Sequence, residues 1–166
     1  MNVKNRRRSR FWRYAPLIAW MVLIFIASTG ELSARNTSLI VRPILLWLFP
    51  DISEARISVV HFCVRKAAHF TEYAIFALLA ARAFTTSSRE RLRNMFFYVT
   101  LLLVALYAFS DEFHQSFVAT RTGSIYDSLL DIAGGLTALI AYAVWRRKKQ
   151  SKHSSTSPLS SKRRFV

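Results

Sequence analysis

Three apolar stretches of this chain carry side chains able to hold or move charge. Arg65, Lys66, His69 and Glu72 open one, Asp111, Glu112, His114 and Gln115 close another, and Asp127 and Asp131 open the last. An imidazole beside a carboxylate, as in His69 with Glu72 or Glu112 with His114, could supply a general acid and base. Lys66 and Arg121 could hold a phosphate or carboxylate, the ammonium as a point charge and the guanidinium as a two-pronged fork. His69, Glu72, Asp111 and Glu112 are compatible with a metal ion, but their spacing is not diagnostic, and carboxylates paired with Lys66 or Arg121 need none. The sequence contains no nucleophile elbow, HExxH or phosphate-binding glycine loop, so neither a reaction type nor a cofactor follows from a motif.

The elements that must position these residues are apolar helices. Of 166 residues 52% are hydrophobic, including 13 Phe and 4 Trp, which exceeds what a soluble domain this small carries. A net charge of +15 points at first to nucleic acid. The Lys and Arg residues, however, form short clusters flanking apolar runs, which is the pattern of a membrane protein, so a lipid bilayer and not nucleic acid is the expected partner. The single cysteine, Cys63, excludes an intrachain disulfide and a CxxC site, and reads as a small buried apolar residue.

Four stretches approach the roughly 17–25 helical residues that span a bilayer. They run from about Tyr14 to Thr29, Ser58 to Phe84, Asn94 to Phe109 and Ser128 to Trp145. Leu39 to Phe49 is apolar but too short to cross, and with Pro43 and Pro50 it reads as an interfacial or re-entrant segment. The fold expected is therefore an all-α membrane protein: a basic cytoplasmic leader over residues 1–13, a four-helix transmembrane domain over 14–145, and a disordered basic cytoplasmic tail over 146–166. The first stretch has the basic start of a signal peptide, but its apolar run is longer than an h-region and no A-x-A site follows, so a retained anchor is expected.

Eighteen of the 24 Lys and Arg residues lie in the leader, the 82–93 loop and the tail, which the positive-inside rule makes cytoplasmic together with both termini. Every polar residue named above then falls at the extracytoplasmic end of its span or in the adjoining loop. At about 100° per residue, Arg65, Lys66, His69, Glu72 and Tyr73 share roughly one third of a helix circumference. Tyr107 with Asp111, and Asp127 with Asp131, are pairs four residues apart, so each pair shares a face. A charge at mid-bilayer costs about 2.5–3.5 kcal/mol on insertion scales, which favours one inward-facing, ion-paired network over scattered polar residues. Arg65 reads as a snorkelling anchor at the interface. Polar pairs and small residues also hold helices together in lipid, and Ala133, Gly134, Thr137, Ala138 and Ala141 suit close packing on the fourth span.

These residues also carry a family likeness. Arg65-Lys66-Ala67-Ala68-His69-Phe70-Thr71-Glu72-Tyr73 resembles the RKxAHFxEY motif of VanZ-like membrane proteins, and Ser110 to Phe117 resembles their sDExhQxF motif. Arg121 followed by Asp127, Asp131 and Gly134 is similar to the R…D…(N/D)…G ending, so the likeness runs from about Trp20 to Trp145. Ala119-Thr120 stands where the family often has Pro-Gly, and Asp131 where it often has Asn, which adds a negative charge. The resemblance implies a multi-pass protein of the bacterial cytoplasmic membrane. It marks Lys66, His69, Glu72, Asp111, Glu112, Gln115, Arg121, Asp127 and Asp131 as one candidate site. The family's namesake is associated with resistance to the lipoglycopeptide teicoplanin, so a lipid-linked cell-wall precursor or a lipoglycopeptide is the ligand class implied. Against an enzyme or binder stands a mainly structural network, or a non-catalytic membrane partner.

Overall fold

The structure, a computed structural model, describes residues 3–28, 34–117 and 124–155. Its regular elements are all helices: α1 (Val3–Ser28), α2 (Ala34–Leu48), α3 (Glu54–Thr85), α4 (Glu90–Asn94), α5 (Phe96–Gln115) and α6 (Ile125–Ser155). Three contain a stretch long and apolar enough to cross a bilayer: Phe11–Ser28 in α1, all of α5, and Ile125–Lys152 in α6. The chain is thus an all-helical membrane protein with three such helices among the described residues, not four of equal apolarity. The exception is α3, whose 32 residues reach about 48 Å at 1.5 Å per residue but whose charged positions dilute its hydropathy. Packing explains why α3 differs. It contacts α1, α2, α5 and α6, and Tyr73, Phe76, Ala77, Ala80, Ala81 and Ala83 are buried along it. A helix walled by its neighbours has no need of an apolar surface all round.

Local chemistry sets the ends of α3. Ser53, extended at φ −70° and ψ 150°, accepts the Arg56 amide with its hydroxyl, and Glu54 sits in the first turn, where a negative charge complements the helix dipole. Arg42 of α2 reaches the Glu54 carboxylate and fastens the short helix to the long one. At the other end the Thr85 hydroxyl donates to Ala81 O at 2.7 Å and shares a 2.9 Å hydrogen bond with the Tyr142 hydroxyl of α6.

Contacts along the helices fix their directions. Trp20 Nε1 donates to Glu72 O at 3.0 Å and the Tyr14 hydroxyl reaches Ser87 Oγ at 3.5 Å, so α1 runs antiparallel to α3. The Tyr107 hydroxyl donates to Met21 O at 2.6 Å and the Phe25 and His114 rings lie 4.8 Å apart, so α1 and α5 are parallel. Residues 66, 69 and 85 of α3 meet residues 127, 131 and 142 of α6, so these two are parallel as well. Their approach is unusually close. A Cβ added at Gly134 would collide with Phe70 O and lie 3.1 Å from Phe70 Cα, and one at Gly135 would lie 3.4 Å from Tyr73 O, with the Val104 side chain of α5 closer still. Of the small residues singled out above, only Gly134 is buried there. Ala138 is half-buried, and Ala133, Thr137 and Ala141 face outward.

Two expectations are corrected. The region after Trp145 is not unstructured throughout, because α6 continues to Ser155. Lys, Arg and Gln are good helix formers, and Arg146 and Lys149 lie over the Phe96 and Trp145 rings at 5.0 and 5.4 Å, so the span propagates beyond its apolar part. Residues 156–166 lie outside the described residues. Cys63 is exposed on the outside of α3 rather than buried, a position that lipid accepts from a small apolar thiol.

The glycine contact gives a first prediction. Gly134→Ala should destabilise the bundle by about 1–3 kcal/mol, since backbone cannot yield as a side-chain tip can. Ala133→Leu, one residue away on the outward face, should be tolerated. Thermal unfolding of the purified variants in one detergent checks both.

Candidate functional site

The parallel pairing of α3 and α6 sets the first turns of α6 beside Lys66 and His69, more than three turns into α3, and α5 adds its last turn to the same layer. Lys66 Nζ forms an ion pair with Asp127 Oδ1, each side chain being about one fifth exposed. The same ammonium lies 5.1 Å from the centre of the Phe62 ring, one turn earlier on α3. A turn further into the bundle on both helices, His69 Nδ1 stands 3.5 Å from Asp131 Oδ1, and Asp131 is fully buried. From α5, Asp111 contributes a buried carboxylate that accepts a 2.9 Å hydrogen bond from Gln115 Nε2. Donor atoms of His69, Asp111 and Asp131 all lie within 4.8 Å of one another.

Glu112 is the α5 residue that reaches the start of α6. Its Oε2 accepts the Ser124 amide at 2.7 Å, placing a carboxylate at a helix N-terminus where unpaired N–H groups favour negative charge. Asp127 sits in the first turn of α6 rather than capping it. The Ser124 carbonyl accepts its amide at 2.8 Å. Ser128, buried beside Asp131, reaches back to Ala108 O at 3.5 Å. Beneath the polar layer the rings of Tyr73, Phe76 and Tyr107 pack at 5.1–6.4 Å and separate it from the alanine-rich core.

Among the sequence-derived candidates, Lys66, His69, Asp111, Glu112, Gln115, Asp127 and Asp131 therefore meet at one end. Glu72 is half-buried on the same helix where α3 faces α1. Arg121 lies outside the described residues. Glu112 and His114 do not form an acid–base pair: two residues along a helix are about 200° apart, and the His114 ring lies against Phe25 of α1. Arg65, with Phe62, Lys66, Ser124, Tyr126, Asp127 and Leu130, lines an open cleft of about 530 Å³ between α3 and α6, a place compatible with an interfacial anchor. Tyr126 and Ser124 were not singled out as site residues. Their position just before and inside the first turn of the last span was the available signal.

Fold and site together define a helical membrane protein with a buried acid–histidine layer behind a lysine–aspartate pair. The family model described as VanZ/LLP1 matches residues 11–146, and the chain belongs to that family. Comparison with curated proteins and with solved structures gives no match.

The ion pair yields a second prediction. Lys66→Asp and Asp127→Lys should each destabilise the protein, and the double exchange should recover most of the loss. A coupling energy of about 0.5–3 kcal/mol is expected for residues in direct contact. Melting temperatures of the four proteins measure it, and a coupling of zero would mean that the two charges do not meet.

Proposed function

We propose that this protein spans the membrane four times with both termini in the cytoplasm, α3 being the second span beside the three apolar ones. Its polar end then faces outward and binds the anionic head of an amphiphile whose tail stays in the bilayer. The observation that carries this reading is the cleft. It opens between two helices on the flank of the bundle, where a lipid tail has access. Two cations, Arg65 and Lys66, line it alongside the apolar side chains Phe62, Tyr126 and Leu130. A phosphate or carboxylate at its mouth would compete with Asp127 for Lys66 through charge-assisted hydrogen bonds. Behind the mouth, His69 and the carboxylates stand where proton transfer to a bound head is within reach.

The ligand class that fits is a lipid-linked cell-envelope precursor or another amphiphile with a phosphate or carboxylate head. Membership of the family whose namesake is associated with teicoplanin resistance favours a cell-envelope ligand over a general phospholipid. A second reading, a mainly structural network in a non-catalytic partner, draws on the Lys66–Asp127 pair, which already satisfies both charges.

Farnesyl diphosphate serves as a short probe of the head-plus-isoprenoid chemistry. Binding to the purified protein in nanodiscs should weaken at least tenfold in Lys66→Ala and little in Lys149→Ala at the opposite end. Equal affinity in all three proteins would reject the site. If the probe is also turned over, His69→Ala and Glu112→Gln should abolish phosphate release while leaving binding within a few-fold. Orientation has its own check. Thr122→Cys in a Cys63→Ser background should react with an impermeant maleimide in intact cells, and labelling only after lysis would reverse the topology.

A further inference from the structure

The buried layer behind the lysine contains more negative charge than a headgroup site has use for. Asp131 is fully buried and Asp111 nearly so. Lys66, on the same face of α3 as His69, is already committed to Asp127 one turn nearer the surface. Both Asp131 oxygens are buried with no hydrogen-bond partner among the described residues, although His69 stands 3.5 Å away. The Tyr73 hydroxyl, also fully buried and without a partner among those residues, lies within electrostatic reach of Asp111 and Asp131. A desolvated carboxylate normally has its lone pairs filled by donors or a metal, and two carboxylates and an imidazole from three helices are a poor way to fill an interior otherwise.

We infer that His69, Asp111 and Asp131 bind a divalent transition cation. The three ligand atoms lie within 4.8 Å of one another. Neighbouring donors at roughly 2.1 Å from one ion stand about 3.0–3.5 Å apart, so the 3.5 Å between His69 Nδ1 and Asp131 Oδ1 already suits a shared ion. Imidazole with carboxylates and no thiolate suits borderline Zn²⁺, or the harder Mn²⁺, over soft Cu⁺. Gln115, hydrogen-bonded to Asp111, orients that ligand from behind. The three protein ligands leave coordination positions for water or for an oxygen of a bound head. This deepens the proposed reading and rests on it in one respect: with the ion present, an acid-lined interior attracts a phosphate instead of repelling it.

The test uses the full chain in nanodiscs, stripped with chelator and dialysed against Zn²⁺ or Mn²⁺ without any amphiphile. One equivalent per chain is expected by elemental analysis, with affinity reduced at least tenfold in Asp131→Asn and in His69→Gln, and unchanged in His61→Gln on the same helix. If the Asp131 and His69 variants fail to fold, the wild type decides alone. Pulsed EPR of bound Mn²⁺ should show the nitrogen modulation of one imidazole. Substoichiometric uptake by the wild type, absence of nitrogen coupling, or full affinity in Asp131→Asn overturns the metal site. Farnesyl diphosphate binding measured on the same stripped protein separates the two ideas. Headgroup binding that survives where no ion is taken up leaves the earlier reading standing and removes this one. Ion uptake without headgroup binding does the reverse.

Discussion

The backbone of α6 touches the backbone of α3 at Gly134, and most of the molecule follows from that contact. Lipid gives no hydrophobic force between helices, so association rests on close packing and on polar pairs. With Phe70 O where a Cβ would otherwise stand, the two helices lie near enough for short side chains to bridge them. The same contact fixes register. Residue 70 against 134 sets Lys66 opposite Asp127 and His69 opposite Asp131, and the Thr85–Tyr142 hydrogen bond keeps the helices aligned at the far end. A shift by one residue would rotate every one of these partners away. The glycine is thus a condition of the polar site as well as of the packing.

The polar layer is graded with depth. At its mouth Lys66 and Asp127 retain some exposure, and their charges can be shared with solvent or a ligand. One turn deeper His69 is mostly covered and Asp131 entirely so. Below that, three aromatic rings and then alanines close the bundle. A network serving only to hold helices together would be expected to satisfy its own donors and acceptors. Here the outer pair does so and the inner layer leaves Asp131 and Tyr73 oxygens without partners among the described residues. Orphan polar atoms this deep are costly, which sets the inner layer apart from the self-satisfied outer pair.

Much of this was legible in the sequence, because the relevant periods are short. Lys66 with His69, and Asp127 with Asp131, announce shared faces by spacing alone, and the family motifs tie the three segments together. Other features depend on neighbours that no local window contains. The hydropathy of α3 looks ambiguous until its walls are known. Gly134 and Gly135 are buried against their neighbours, yet Ala133, Thr137 and Ala141, nearly as small, face outward. Glu112 and His114 look like an acid–base pair in a motif but point in different directions on a helix. Arg65 reads as an anchor and the cleft was not legible beside it, because anchoring and lining a cleft at the interface require the same residue at the same depth.

The departure from the family pattern at Asp131 bears on what the inner layer can do. An asparagine there could donate to one neighbour and accept from another, whereas an aspartate brings a full charge and only acceptor atoms. Beside Asp111, that substitution turns a site satisfiable by hydrogen bonds into one that requires a proton or a cation. His69 supplies at most one positive charge against two carboxylates. The second positive charge, a proton or a cation, must come from outside the three residues. Their donor atoms, coming from α3, α5 and α6, lie within 4.8 Å of one another, close enough for one shared proton or cation to serve all three after a small adjustment.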